Sequence, residues 1–135
     1  MRIGIITSKY YTDHKKIKDL IALIQNHFGK HNATIISPAH SNADIAVKKY
    51  ALEMTLDYIE FNPAYTGYNL YSFEKKEYYE GKNWHFSQLI HRFTRMFQHV
   101  DKIFIFTSHV NKEHDPLIND IIKKIPNKIP KQKII

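Results

Sequence analysis

"IISPAHSNADIAV", residues 35–47, decides how this chain is read. Ile35-Ile36 is the end of an apolar, β-branched run, which favours a strand. Ser37 to Asn42 is small and polar and contains no glycine. A helical pattern then starts at once. Ser41 and Asp44 stand three apart, as in a capping box with Asp in place of the usual Glu. A strand that passes through a short turn into a capped helix is one half of a βαβ unit.

Working outward, the same alternation recurs. Arg2 to Thr7 is apolar and β-branched and reads as a buried strand. Thr12 or Asp13 can cap a helix with Ile17, Leu20, Ile21, Ile24 and Phe28 on one face, closed by Gly29. Thr34 to Ser37 is the second strand, and its helix runs to about Met54. Tyr58 to Phe61 is the third strand, stopped by Pro63. Residues 64–83 lack clear periodicity and are rich in tyrosine; loops this long within a domain tend to be functional or disordered. Trp84 to Val100 reads as a long helix with Phe86, Leu89, Ile90, Phe93, Phe97 and Val100 toward the core. "KIFIFT", Lys102–Thr107, is the clearest strand. Asp115-Pro116 opens a last helix carrying Leu117, Ile118, Ile121 and Ile122, and "KQKII" can add an edge strand. The strands are continuous apolar runs, so the expected fold is α/β: a single Rossmann-like three-layer domain over residues 1–135, with a mostly parallel sheet of four or five strands and a Tyr-rich insertion at about 64–83.

Composition fits this. The 135 residues are 43% hydrophobic and 24% charged, as in ordinary globular domains. No apolar run reaches the length of a membrane span. Met1 to Ile6 does not read as a signal peptide, so a cytoplasmic protein without membrane partners is expected. Cysteine is absent, which excludes disulfide and thiolate chemistry. The net charge of +7 favours anionic partners, with the densest basic segment at Lys123, Lys124, Lys128, Lys131 and Lys133.

In an open parallel sheet the ligand lies beyond the carboxyl ends of the strands. That places Thr7 to Tyr10, Ser37 to Asp44, Asn62 to Tyr68 and Thr107 to His109 at one edge. Helix N-termini there attract phosphate through free N–H groups and the helix dipole. Ser41 is equally a plain cap, and Asp44 equally a first-turn carboxylate or a base or ribose binder. With only four glycines the chain has neither a dinucleotide fingerprint nor a P-loop. No motif calls for a cofactor. The nine histidines lack metal-ligand spacing, so no metal is expected. No nucleophile elbow supports Ser8, Ser37 or Ser108 as nucleophiles. Glu53 and Glu60 read as surface residues. Arg92, Met96 and His99 share a helix face, where an arginine could clamp phosphate with a forked contact; Arg95 reads as solvated.

These motifs resemble the SLOG superfamily, which includes the LONELY GUY hydrolases, DNA-processing protein A and YAcAr-like proteins. The YAcAr-like pattern has "GSR" after the first strand, "GGAxGAD" after the second, "fPA.W" after the third, and "RN..M…aD" before the fourth. Here the corresponding stretches are "TSKYYTDH", "SPAHSNADIAVKKYALE", "FNPAYTGY" and "RFTRMFQHVDKIFIF". The resemblance covers about Ile3 to Thr107. It implies a ligand turn at Ser8 and Lys9. Asn42 and Asp44 match the end of the second motif, Pro63, Ala64 and Tyr65 the third, and Arg92, Met96 and Asp101 the last. The paired glycines are replaced by Ser37-Pro38. The hydrolases' Pro-Gly-Gly-x-Gly-Thr-x-x-Glu motif is absent, and Glu113 is the only comparable acid in its place.

The resemblance therefore implies a protein that senses or sequesters a nucleotide-type small molecule rather than an enzyme. Small stand-alone versions of this fold fit such a role, including in viruses that face nucleotide-based defences. The expected ligand-binding residues are Ser8, Lys9, Ser37, His40, Asn42, Asp44, Tyr65, Arg92 and Ser108. The tyrosine segment would be a lid or a partner-facing surface, and family members are often homo-oligomers. The alternatives are a nucleoside-monophosphate phosphoribohydrolase using Glu113, and a DNA- or RNA-binding protein using the basic tail.

Overall fold

The computed structural model describes residues 1–107 and 116–135. Strands β1 (Arg2–Thr7), β2 (Thr34–Ser37), β3 (Asp57–Glu60), β4 (Lys102–Phe106) and β5 (Lys131–Ile134) alternate with helices α1 (His14–Phe28), α2 (Asn42–Glu53), α3 (Lys76–Tyr79), α4 (Ser87–Phe97) and α5 (Pro116–Lys124). The sheet order is β3-β2-β1-β4-β5 and every strand pair is parallel. The chain builds outward from β1 to β3, then returns to place β4 on β1's other side. The carboxyl ends of β1 and β4 therefore form the topological switch point, where such sheets bind ligands.

Side chains alternate across the sheet with period two. Ile3, Ile5, Ile35, Phe104 and Phe106 face α1 and α2, with Ile17, Ile21 and Val47. Ile6, Ile36, Ile103 and Ile105 face α4 and α5, with Phe93, Met96, Ile118 and Ile121. The domain is thus three-layered, as the alternation of elements requires. Each fully buried Ile or Phe stabilises it by roughly 1.5–3 kcal/mol.

Local chemistry sets the ends. Asp13 caps α1 by accepting from the Lys16 amide, and Gly29 follows α1 at φ 80°, in the left-handed region where glycine is unstrained. Ser41 and Asp44 form the full capping box on α2. Gly4 lets α4 sit close on β1: a Cβ there would lie 2.9 Å from Met96 Cε and 3.1 Å from Val100 Cγ1. Arg92 is one helical turn before Met96, about 6 Å nearer the carboxyl edge.

Three expectations need correction. The helix expected from Trp84 begins only at Ser87, and Phe86, expected in the core, is 60% exposed. His85 Nδ1 accepts from the Ser87 amide at 3.1 Å, so a local side-chain turn replaces the first helical turn. Glu60, expected at the surface, is 4% exposed. It alternates with Ile59 and so shares the face of Tyr58, under α2. Its carboxylate pairs with Lys48 at 3.1 Å and accepts from Asn69 at 2.9 Å.

The tyrosine-rich stretch is bolted to the sheet. Glu60's backbone pairs with Tyr71 and Phe73, which covers the free edge of β3. Asn62 is the hub. It donates to Gly67 O (2.8 Å) and Thr66 Oγ1 (3.2 Å), and accepts from Ser72 Oγ (2.9 Å) and the Tyr79 hydroxyl (2.7 Å). Arg95, expected to be solvated, instead holds Glu74 and stacks over Tyr78 at 4.8 Å.

Candidate functional site

The site is built where β1 and β2 end. Thr7, the last residue of β1, donates to Asp44 Oδ1 at 2.8 Å. The other carboxylate oxygen, Oδ2, accepts from the amides of His40 (2.7 Å) and Ser41 (3.0 Å). Thr7 and Ser41 hydroxyls lie 2.6 Å apart. Thr7's proton goes to Asp44, so Ser41 donates to Thr7. Asp44 is buried, and this raises its carboxyl above the ordinary value; the bonds from His40, Thr7 and Ser41 and the charge of Arg92 pull the other way. Its oxygens are engaged by the protein, so Asp44 fastens the β2–α2 turn to β1 and fixes where His40 stands.

That turn carries its own strain. Ala39 sits at φ 50°, a left-handed conformation that a glycine would occupy without cost. The buried Ser37 hydroxyl accepts from the Ala39 amide at 3.1 Å and steadies it. This explains how a turn without glycine is made: side-chain oxygens of Ser37, Ser41 and Asp44 bind the backbone that glycines would otherwise leave free.

Arg92 approaches from α4, on the opposite layer. Its Nη2 is 2.7 Å from His40 Nδ1. A guanidinium can only donate, so Nδ1 holds the lone pair and the neutral ring carries its proton on Nε2. Arg92 is 5% exposed, and its Nε finds no hydrogen-bond partner. Among the described residues no carboxylate lies within 4.0 Å of it. Burial lowers its affinity for its proton, opposed by the nearby Tyr65 and Asp44. A buried, fork-shaped cation without a carboxylate partner, beside a helix N-terminus, is suited to an anion.

Aromatic groups border this cation. The half-buried Tyr65 ring lies 6.4 Å from that of Trp84, and His40 meets Phe93 edge-on at 6.0 Å. On the α2 side, a cleft of about 270 Å³ is lined by His40, Asn42, Asp44, Lys48, Tyr58 and Glu60. His40 and Asp44 belong to both.

The structure thus brings His40, Asp44, Tyr65 and Arg92 together, with Ser37 beneath the turn. Asn42 is exposed in the first turn of α2 and lines the cleft. Ser8 is buried and continues the β1–β4 ladder through its amide to Phe106 O at 2.9 Å. Lys9 lies at the surface, its ammonium 4.9 Å from the Tyr10 ring. Ser108, and the Glu113 of the hydrolase alternative, lie outside the described residues. Lys48 and Glu60 were not expected at the site, and Thr7 was expected at this edge but without a role of its own. The period-two pattern of β3 could have placed Glu60; nothing local marks Thr7. Among the described residues no group of three or more metal-ligating side chains occurs, and no helix is long and apolar enough to cross a membrane.

Fold and site together define a Rossmann-like α/β domain with a buried arginine at its switch-point edge. No protein-family model, curated protein or solved structure matches the chain.

Proposed function

We propose that the protein binds a nucleotide or nucleotide-derived ligand at the carboxyl ends of its strands, as a SLOG-like binder that senses or sequesters the ligand rather than turning it over. One observation carries the reading: among the described residues the buried Arg92 has no carboxylate within 4.0 Å and no hydrogen-bond partner for its Nε. Burying a guanidinium is costly unless an anion meets it, and a phosphate at the mouth of α2 supplies that anion. The α2 N-terminus adds donors. Tyr65 and Trp84 give aromatic faces for a base.

The test is to heat-denature the purified protein and identify by mass spectrometry what it releases. Calorimetry with nucleoside monophosphates, cyclic nucleotides and ADP-ribose follows. An intact nucleotide released or bound, with binding lost in Arg92→Met, supports the reading. Release of a free base from an added nucleotide would replace it by hydrolysis. Failure of every nucleotide to bind, or undiminished binding by Arg92→Met, overturns it.

A further inference from the structure

We infer that the protein has a second, separate anion-binding surface, formed by the α5–β5 unit, which binds the phosphate backbone of duplex nucleic acid. Residues 116–135 hold Lys123, Lys124, Lys128, Lys131 and Lys133 against one acid, Asp120. All five lysines are exposed. The ion pairs among the described residues involve Lys15, Lys16, His31, Lys48 and Arg95, and none of these five. Asp120 is placed three and four residues before Lys123 and Lys124, yet pairs with neither. Five cations within eleven residues that no described carboxylate pairs raise the local potential for a polyanion.

The arrangement is fixed by the fold. Lys131 and Lys133 pair with Ile103 and Ile105 of β4, whose side chains face α5. The period of two puts both lysines on that same face, about 7 Å apart along an edge strand. Lys123 and Lys124 stand in the last turn of α5. Lys124 and Lys128 line a groove of about 340 Å³ with Thr94, Gln98 and Pro126. Strand β5 runs parallel to β4, so this groove, between the ends of α4 and α5, opens at the amino edge of the sheet. It meets α4 at Thr94 and Gln98, which the helical period turns away from Arg92.

Two features favour a duplex over other polyanions. Residues 116–135 contain no aromatic side chain, and single strands are held largely by base stacking on aromatics. Apart from the terminal Ile135, no large apolar side chain of the unit is strongly exposed, whereas an anionic membrane is held by inserted apolar groups as well as by charge. A duplex offers phosphates alone, and lysines suffice to bind them.

The experiment is fluorescence anisotropy of a short mixed-sequence DNA duplex with the full chain. Each neutralised phosphate contributes about −0.9 to the slope of log K against log salt, so five lysines give about −4.5. Affinity should then fall about 500-fold between about 50 and 200 mM salt. Changing Lys131 and Lys133 to serine should make the slope shallower by about 2. A control variant at Lys18 and Lys49, on the opposite layer, should leave it unchanged, and saturating mononucleotide should not compete. All these lysines are exposed, and circular dichroism verifies that each variant is folded. Absence of duplex binding at low salt overturns the inference. So do equal losses in the control variant, or binding confined to anionic lipid vesicles or to single strands.

Discussion

Replacing Arg92 by methionine separates what the guanidinium does for the fold from what it does for a ligand. The methionine keeps the apolar stem that packs on α4's buried face and removes the charge. In the ligand-free protein the change has two opposed effects. It removes the charged hydrogen bond to His40, worth about 1.5–3 kcal/mol. It also relieves a buried cation, whose effective penalty is several kcal/mol, and an unpartnered Nε that costs about 1–3 kcal/mol. Asp44 offsets part of that penalty at a distance but donors on His40, Ser41 and Thr7 already occupy its oxygens. The balance favours methionine by about 1–2 kcal/mol. For a domain of this length that is a rise in Tm of about 3–10 °C.

Differential scanning fluorimetry on ligand-free protein measures the first half of this prediction, and calorimetry with nucleotides the second. A higher Tm together with lost binding is the expected pair, the usual cost of holding a site ready for a ligand. A Tm that falls by several degrees would refute the reasoning, because Arg92 would then be a satisfied structural group with no need of an anion. A higher Tm with binding intact would place the ligand elsewhere.

Three further outcomes follow from the same geometry. Asp44→Ala should cost about 2–4 kcal/mol in urea unfolding, since it orphans the His40 and Ser41 amides and the Thr7 hydroxyl; Asp44→Asn, which can accept from the amides and donate to Thr7, should cost about 1 kcal/mol or less, and equal costs would refute the fastening role. Burial first, then neighbouring Glu60 for Tyr58 and Asp13 for Tyr11, hold Tyr58, Tyr11 and Tyr79 above their ordinary value of 10.0. The unfolded chain therefore releases these protons first, and stability should fall as pH rises above 10, most through Tyr58, whose shift is large, at up to about 1.4 kcal/mol per pH unit. Tyr58→Phe should flatten that decline in unfolding curves taken across the range. Thr55 is β-branched and stands at φ 56° between α2 and β3, so Thr55→Gly should raise stability by about 1 kcal/mol, and a loss of stability would show that its backbone is not strained.

What the sequence made legible was local. Strands and helices follow from periods of 2 and 3.6, and from caps that act within a turn, so β1, β2, α1 and α2 could be placed to within a residue or two. Features that depend on partners far along the chain could not. The Thr7–Asp44 bond spans 37 residues, and the Arg92–His40 bond spans 52. Nothing near Thr7 distinguishes it from any threonine at the end of a strand. Asp44 illustrates the limit differently: its position three residues after Ser41 predicts the capping box and equally permits a ligand contact. Only the arrival of Thr7 and the two turn amides decides how its oxygens are used. Phe86 was misplaced because apolar spacing was read without the competing His85–Ser87 turn, and Glu60 because its charge was weighed above its alternation with Ile59. Arg92 combines both kinds of information. Its spacing from Met96 put it on the face that Gly4 admits against β1, which is local and readable. That it meets a histidine there and, among the described residues, no carboxylate within 4.0 Å is a property of the folded edge alone, and the proposed anion would supply this missing counter-charge.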